Sequence, residues 1–132
     1  MPRKQVSSGS PWEEPMGYCR AVRVGNRIVV SGTGPVTDDG STASPGDPHG
    51  QALRCFEIIR QAIEDLGGAL EYVVRTRMYV TDMAHAETIG QAHGEFFRTI
   101  KPASTMVGVT GLVRDDWFVE IEAECLIERE TE

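Results

Sequence analysis

The sequence predicts an α+β fold, one mixed sheet with two helices on one of its faces, in a single domain spanning residues 1–132. Three observations predict it. Two helical patterns are interleaved with hairpin-like β runs instead of alternating regularly with single strands. The last β run alternates apolar and acidic residues with a period of two, as a half-covered strand does. The chain has 132 residues, 40% hydrophobic and 25% charged, which fits one globular domain with a real core.

Residues 1–15 are rich in Ser, Pro and charge and read as a loosely ordered arm with a short strand at 4–6. "YCRAVRVGNRIVVSG" splits at the turn pair "GN" into β runs at 18–24 and 27–31. The stretch "TGPVTDDGSTASPGDPHG" is longer than a hairpin needs. Loops of that length are often functional, and its 38–47 portion is a candidate lid.

A helix follows. Asp47 is a suitable N-cap and Pro48 suits the first turn. Phe56, Ile59, Ile63 and Leu66 form one apolar stripe, and Gly67 supplies a left-handed C-terminal stop. A β run at 72–80 leads to Asp82, which caps a second helix over 83–98 with Ile89, Ala92 and Phe96 as its inner stripe. Two strands close the chain, "STMVGVTGL" and "FVEIEAECLIE", joined through "VRDDW". In the last, Val119, Ile121, Ala123 and Cys125 point one way and Glu120, Glu122 and Glu124 the other. The resulting order is β-β-(β)-α-β-α-β-β. With both helices on one face, the other face is left for a homo-oligomeric contact.

Composition excludes several classes. The longest apolar runs are a few residues, too short to cross a bilayer, and the N-terminus lacks the apolar stretch of a secretory signal, so a cytoplasmic location is expected. The net charge is −7 with only two lysines, which argues against nucleic acid as the main partner. Cys19, Cys55 and Cys125 form no CxxC pair and read as small buried hydrophobes. His85 and His93 are eight apart, off the i, i+4 register a helical metal site uses, and read as surface residues; no metal or cofactor is expected.

The candidate chemistry is acidic and polar. Glu122 and Glu124 read as cross-strand ion-pair partners of Arg75 and Arg77 on the middle strand and of Arg20 on an early one. Glu120 opens its strand just after the "DDW" turn, where a side chain reaches a cleft, and a carboxylate there can orient or deprotonate a water. Ser31 and Gly32 read either as a strand-ending turn or as a place for close ligand approach. Tyr18 is either a core tyrosine or an aromatic wall of a pocket.

Taken in order, "GYCRAVRVGNRIVVSG", "VVRTRMYVTDM", "PASTMVGV" and "VEIEAECLI" resemble the RidA/YjgF family, also labelled endoribonuclease L-PSP, over about residues 17–127. The resemblance implies a chorismate-mutase-like fold and a homotrimer with a ligand cleft at each subunit interface. It also implies hydrolysis of reactive enamines and imines without metal or organic cofactor. In the family pattern an arginine of "PARS" pairs with the substrate carboxylate, and a glutamate of "VEIEA" positions the attacking water. A tyrosine of "GPYS" and the residues of "SGQ" shape the pocket. Carried over, these positions are Ser104, Glu120, Tyr18, and Ser31 with Gly32.

The chain departs from the pattern. Ser104 cannot form a charged fork with a carboxylate, "GPYS" reads "MGYC", and "SGQ" reads "SGT". The pocket is therefore expected to persist with a different substrate, not a simple 2-imino acid. Ser104, Thr105 or backbone N–H groups would hold the leaving side, and Arg114, in the turn before Glu120, or a neighbouring subunit would supply a replacement cation. Two readings follow: a deaminase-type hydrolase of a small imine-like or enamine-like metabolite, and a non-catalytic trimeric binder of a small ligand. A ribonuclease fits the charge less well.

Overall fold

The computed structural model describes residues 2–128 and is an α+β structure built on one six-stranded sheet. The strands are β1 (Arg3–Val6), β2 (Ala21–Val24), β3 (Arg27–Thr33), β4 (Val73–Val80), β5 (Ala103–Gly108) and β6 (Val119–Leu126), in the spatial order β1-β2-β3-β6-β4-β5. All neighbouring pairs are antiparallel except β4 and β5, which makes the sheet mixed. The helices are the short α1 (Glu13–Met16), α2 (Pro48–Asp65) and α3 (Ala86–Phe97).

The two long helices form where their caps and stripes put them. Asp47 accepts the Gly50 N–H at 3.1 Å and Pro48 opens α2. Phe56, Ile59, Ile63 and Leu66 are all buried, and Gly67 takes a φ of 83° just beyond the helix. Asp82 caps a 3₁₀ turn, Met83–His85, through the Ala84 N–H, so the α-helix begins at Ala86 and not at Met83.

The odd-numbered residues 119–125 of β6 are buried under α2, together with Ile28, Val30, Met78 and Val80. Glu120, Glu122 and Glu124 lie on the opposite face. There Arg77 reaches Glu122 at 3.7 Å, and Arg75 and Arg27 reach Glu124 at 3.8 and 3.5 Å. Val29, Val107 and Leu126 stay exposed on that face. Among the described residues no helix is long and apolar enough to cross a membrane.

Several details differ from the sequence expectation. The N-terminal arm is ordered: β1 pairs with β2, and α1 follows it, with buried Glu13 tied to the Ser8 hydroxyl at 2.8 Å. β2 begins at Ala21, because residues 18–20 form the turn-in from α1. β3 runs on to Thr33 through a bulge: Val30 opposes Ala123 and Thr33 opposes Ile121, so three steps on β3 match two on β6. Ser31–Gly32 is therefore a bulge inside a strand, not a strand end.

On α3 the buried aromatic is Phe97 instead of Phe96. Phe97 meets Phe56 edge to face, while Phe96 sits farther out beneath the Arg60 guanidinium. His93 is not a surface histidine. It is half-buried against Phe56 and Phe97, its Nε2 lies 2.8 Å from the Thr76 hydroxyl, and burial lowers its pKa. Cys55 and Cys125 are buried and all three cysteines are free, but Cys19 is only half-buried.

Candidate functional site

A cavity of about 600 Å³ opens beside Glu120. Its walls come from residues 8–18, the bulge of β3, the loop 34–40 and the turn before β6. Four of the residues singled out in the sequence meet there: Tyr18, Gly32, Arg114 and Glu120.

The bulge explains Glu120's position. With one extra residue in β3, Gly32 comes to lie against Glu120, and a Cβ at position 32 would stand 2.5 Å from Glu120 Oε2. Only glycine leaves the carboxylate room to lie across the strand. Gly34 does the same for Trp117, whose ring would be 2.2 Å from an added Cβ. The two glycines of "SGTG" thus seat the carboxylate and the indole of one cavity.

Burial pushes the Glu120 carboxyl above its ordinary pKa, and the Glu122 charge adds to this, while Arg20 pulls the other way. Arg20 is itself buried and heavily bonded. Its guanidinium donates to the Gly32 carbonyl at 2.6 Å, the Thr33 hydroxyl at 3.1 Å and the Ser8 hydroxyl at 3.1 Å, and it lies 3.9 Å from Glu13. Arg20 therefore holds the bulge to the N-terminal segment.

Arg114 is placed differently. Its guanidinium stacks over the Trp117 ring, 5.7 Å from the centroid, and among the described residues it has no carboxylate partner. The turn that carries it is clamped from α2. Buried Gln51 donates to the Asp116 carbonyl at 2.9 Å and accepts the Phe118 N–H at 2.8 Å. The loop wall is pinned as well. Arg54 donates to the Val36 carbonyl at 2.6 Å and to Asp38 at 3.2 Å, and Thr42 donates to Asp116 at 2.9 Å.

The other three candidates lie elsewhere in the chain. The Ser31 hydroxyl donates to the Cys19 carbonyl at 2.6 Å, fixing the bulge and not lining the cavity. Ser104 and Thr105 lie on the exposed strand β5 and face opposite ways. Ser104 is in register with Thr76 on the helix side and shares a 2.8 Å hydrogen bond with its hydroxyl. Thr105 is in register with Arg77 on the open side.

Sequence reasoning missed Arg20 as the anchor, Gln51 as the clamp, Trp12 and Trp117 as cavity walls, and the His93–Thr76–Ser104 chain. The paired glycines in "SGTG" were the signal for close approach at this end of β3. Among the described residues no group of three or more His, Cys, Asp and Glu side chains is arranged to hold a metal ion.

Comparison with known proteins fits this geometry into a family. The endoribonuclease L-PSP profile matches residues 12–127. The chain belongs to the endoribonuclease L-PSP family, the RidA/YjgF family of the sequence resemblance. Within it, the chain is 36% identical to the uncharacterized protein SCO2049 of Streptomyces coelicolor over 92% of this chain and 90% of that one. It is 32% identical to a RutC family protein of Pyrococcus abyssi, with 91% and 94% covered. The crystal structure of Rv2704 from Mycobacterium tuberculosis, a YjgF/YER057c/UK114 family member, superposes with a TM-score of 0.87 at 39% identity, covering 96% of this chain and all of that one. The L-PSP fold is thus shared over nearly the whole chain.

Proposed function

We propose that this L-PSP family protein is a cofactor-independent hydrolase of the deaminase type, acting on an imine-like or enamine-like metabolite with Glu120 as the catalytic carboxylate. The observation that carries the reading is that Glu120 and Arg114, a cation with no carboxylate partner among the described residues, border one cavity. Glu120 accepts a hydrogen bond from a water, which attacks the carbon of the C=N bond. The carboxylate takes one proton of the water and returns it to nitrogen, giving a carbinolamine. It then moves the hydroxyl proton to the amino group, and the C–N bond breaks to leave a carbonyl compound and ammonia. A carboxyl whose pKa is raised by burial suits that two-way proton traffic.

Arg114 takes the place of the arginine that the family pattern has at position 104 and holds an anionic group of the substrate. Its stacking on Trp117 orients the guanidinium, whose edge N–H groups are the part that pairs with an anion. Tyr18 supplies an aromatic wall and Gly32 the close approach. The uncovered sheet face supports a homotrimer, as the family resemblance implies. In that assembly Thr105, on the open side of the outermost strand β5, reaches the cleft of a neighbouring copy and holds the leaving side, while Ser104 stays turned to Thr76. The soluble, cytoplasmic setting belongs to the same proposal.

The replacement of the family arginine by Ser104 favours a second reading, a trimeric small-ligand binder without chemistry. Imine decay separates the two. An amino-acid oxidase generates several 2-imino acids in situ, and their decay is followed with wild type, Glu120→Ala and Ser104→Arg. Wild-type acceleration lost in Glu120→Ala supports the hydrolase. An inert wild type with activity gained in Ser104→Arg shows working machinery and a natural substrate without a carboxylate at that point. Silence from all three sinks the hydrolase and leaves the binder.

A further inference from the structure

The wall formed by residues 8–16 is built in an inverted way. Its most buried member is a charged residue, Glu13, at 7% exposure, while its large apolar residues Trp12 and Met16 are left at 40% and 68%. Ordinary packing does the reverse. The segment is nonetheless firmly held. Glu13 accepts from the Ser8 N–H at 3.1 Å and the Ser8 hydroxyl at 2.8 Å, and the left-handed Gly17 ends α1 by donating to the Glu13 carbonyl at 2.9 Å. Arg20 ties the same Ser8 to the bulge beside Glu120.

The exposed apolar groups are not scattered. Trp12, Met16, Tyr18 and Val113 are all exposed, and all border the one cavity that contains Glu120 and Arg114. Apolar surface gathered around a concavity marks a ligand site. Size gives the same indication. The cavity is about 600 Å³. Sites of roughly 300–1,000 Å³ take drug-sized ligands, and a three-carbon imino acid of about six non-hydrogen atoms fills little of such a space.

We infer that residues 8–16 are a specificity wall, and that the ligand carries a bulky apolar group, of about phenyl size or larger, joined to the compact anionic head that Glu120 and Arg114 address. Trp12 and Met16 cover that apolar body and exclude water from it. This rests on the proposed function for the head group only. The apolar body follows from the wall.

The test uses the full chain and two stable keto acids, phenylpyruvate and pyruvate, titrated by calorimetry, and then the imines made from phenylalanine and alanine. Phenylpyruvate is expected to bind at least about tenfold tighter than pyruvate. Trp12→Ala, at an exposed position, is expected to cut that preference about tenfold or more, and Met16→Ala to cut it less. Thermal unfolding of each variant shows that it is folded. Equal affinity for the two acids, binding of neither, or a preference that Trp12→Ala leaves intact would overturn the inference. A Trp12-dependent preference in binding, with neither imine hydrolysed by the wild type, would sink the hydrolase and uphold the wall. Alanine imine hydrolysed as fast as phenylalanine imine would do the opposite.

Discussion

Gly32 and Glu120 meet across the β3–β6 pairing so closely that a single methyl on Gly32 would lie 2.5 Å from the carboxylate oxygen. Backbone and catalytic candidate are thereby coupled, and the coupling is testable. Gly32→Ala meets the far end of a flexible side chain, so the fold gives little and the carboxylate moves. The expected result is a fall in kcat/KM of at least about tenfold, near 1.4 kcal/mol of transition-state stabilisation. Gly34→Ala meets the rigid Trp117 ring instead, and its expected cost is about 1–3 kcal/mol of stability. Urea unfolding and steady-state rates on both variants check the contrast.

The pH dependence follows from the burial of Glu120. Its pKa lies above the ordinary 4.5, so the working carboxylate is expected to appear in an acid limb of the rate profile displaced to higher pH. A folded-state pKa above the unfolded one stabilises the protein at low pH, and that contribution is lost as pH rises through the folded value. Glu120→Gln removes the cost of ionising the buried carboxyl. Its melting temperature is therefore expected to exceed the wild type's near neutrality, with the gap closing towards pH 4.5 and below. Melting curves across that range, beside the rate profile, read both effects.

Arg114 is expected to carry affinity and not fold. Removing one member of a buried charge pair costs roughly 2–5 kcal/mol, a loss of about thirtyfold to several thousandfold in binding. Arg114 is half-exposed, which puts Arg114→Gln at the lower end. Arg114→Lys keeps the charge without the planar fork and should fall between the variant and the wild type. Calorimetric titration with an anionic keto acid, repeated at higher salt, measures it.

Thr76 is fully buried and joins the His93 Nε2 to the Ser104 hydroxyl, each at 2.8 Å. Thr76→Val keeps the shape and removes the bridge, leaving a half-buried imidazole nitrogen without that partner. The expected cost is about 1–3 kcal/mol, with Thr76→Ser recovering part of it. A lower urea midpoint at constant slope is the signature.

What the sequence revealed and what it hid divide along a physical line. The β6 alternation, the α2 stripe and the Asp47 cap were legible because each is set by residues within a few positions of one another. The β3 bulge was not, because one inserted residue breaks the period that reveals a strand, and its partner register lies about ninety residues away. Tyr18, Gly32, Arg114 and Glu120 were legible as candidates, and their meeting in one cavity depends on that bulge. Ser104 and Thr105 are alternatives for one role in the sequence, but adjacent strand residues face opposite ways, and Ser104 turns to Thr76. The N-terminal wall escaped notice since its polar composition suggests a loose arm. What orders it is a buried ion pair and hydroxyl bonds to Arg20, which no local pattern announces.

The central claim is that Glu120 and Arg114 act on one bound molecule. A crystal structure with a bound aromatic keto acid tests it most directly. The account predicts the anionic head on the Arg114 guanidinium, the carbonyl carbon facing a water held by Glu120, and the ring against Trp12. A ligand seated away from Glu120, or an anionic head held at another cation with Arg114 unengaged, would contradict it.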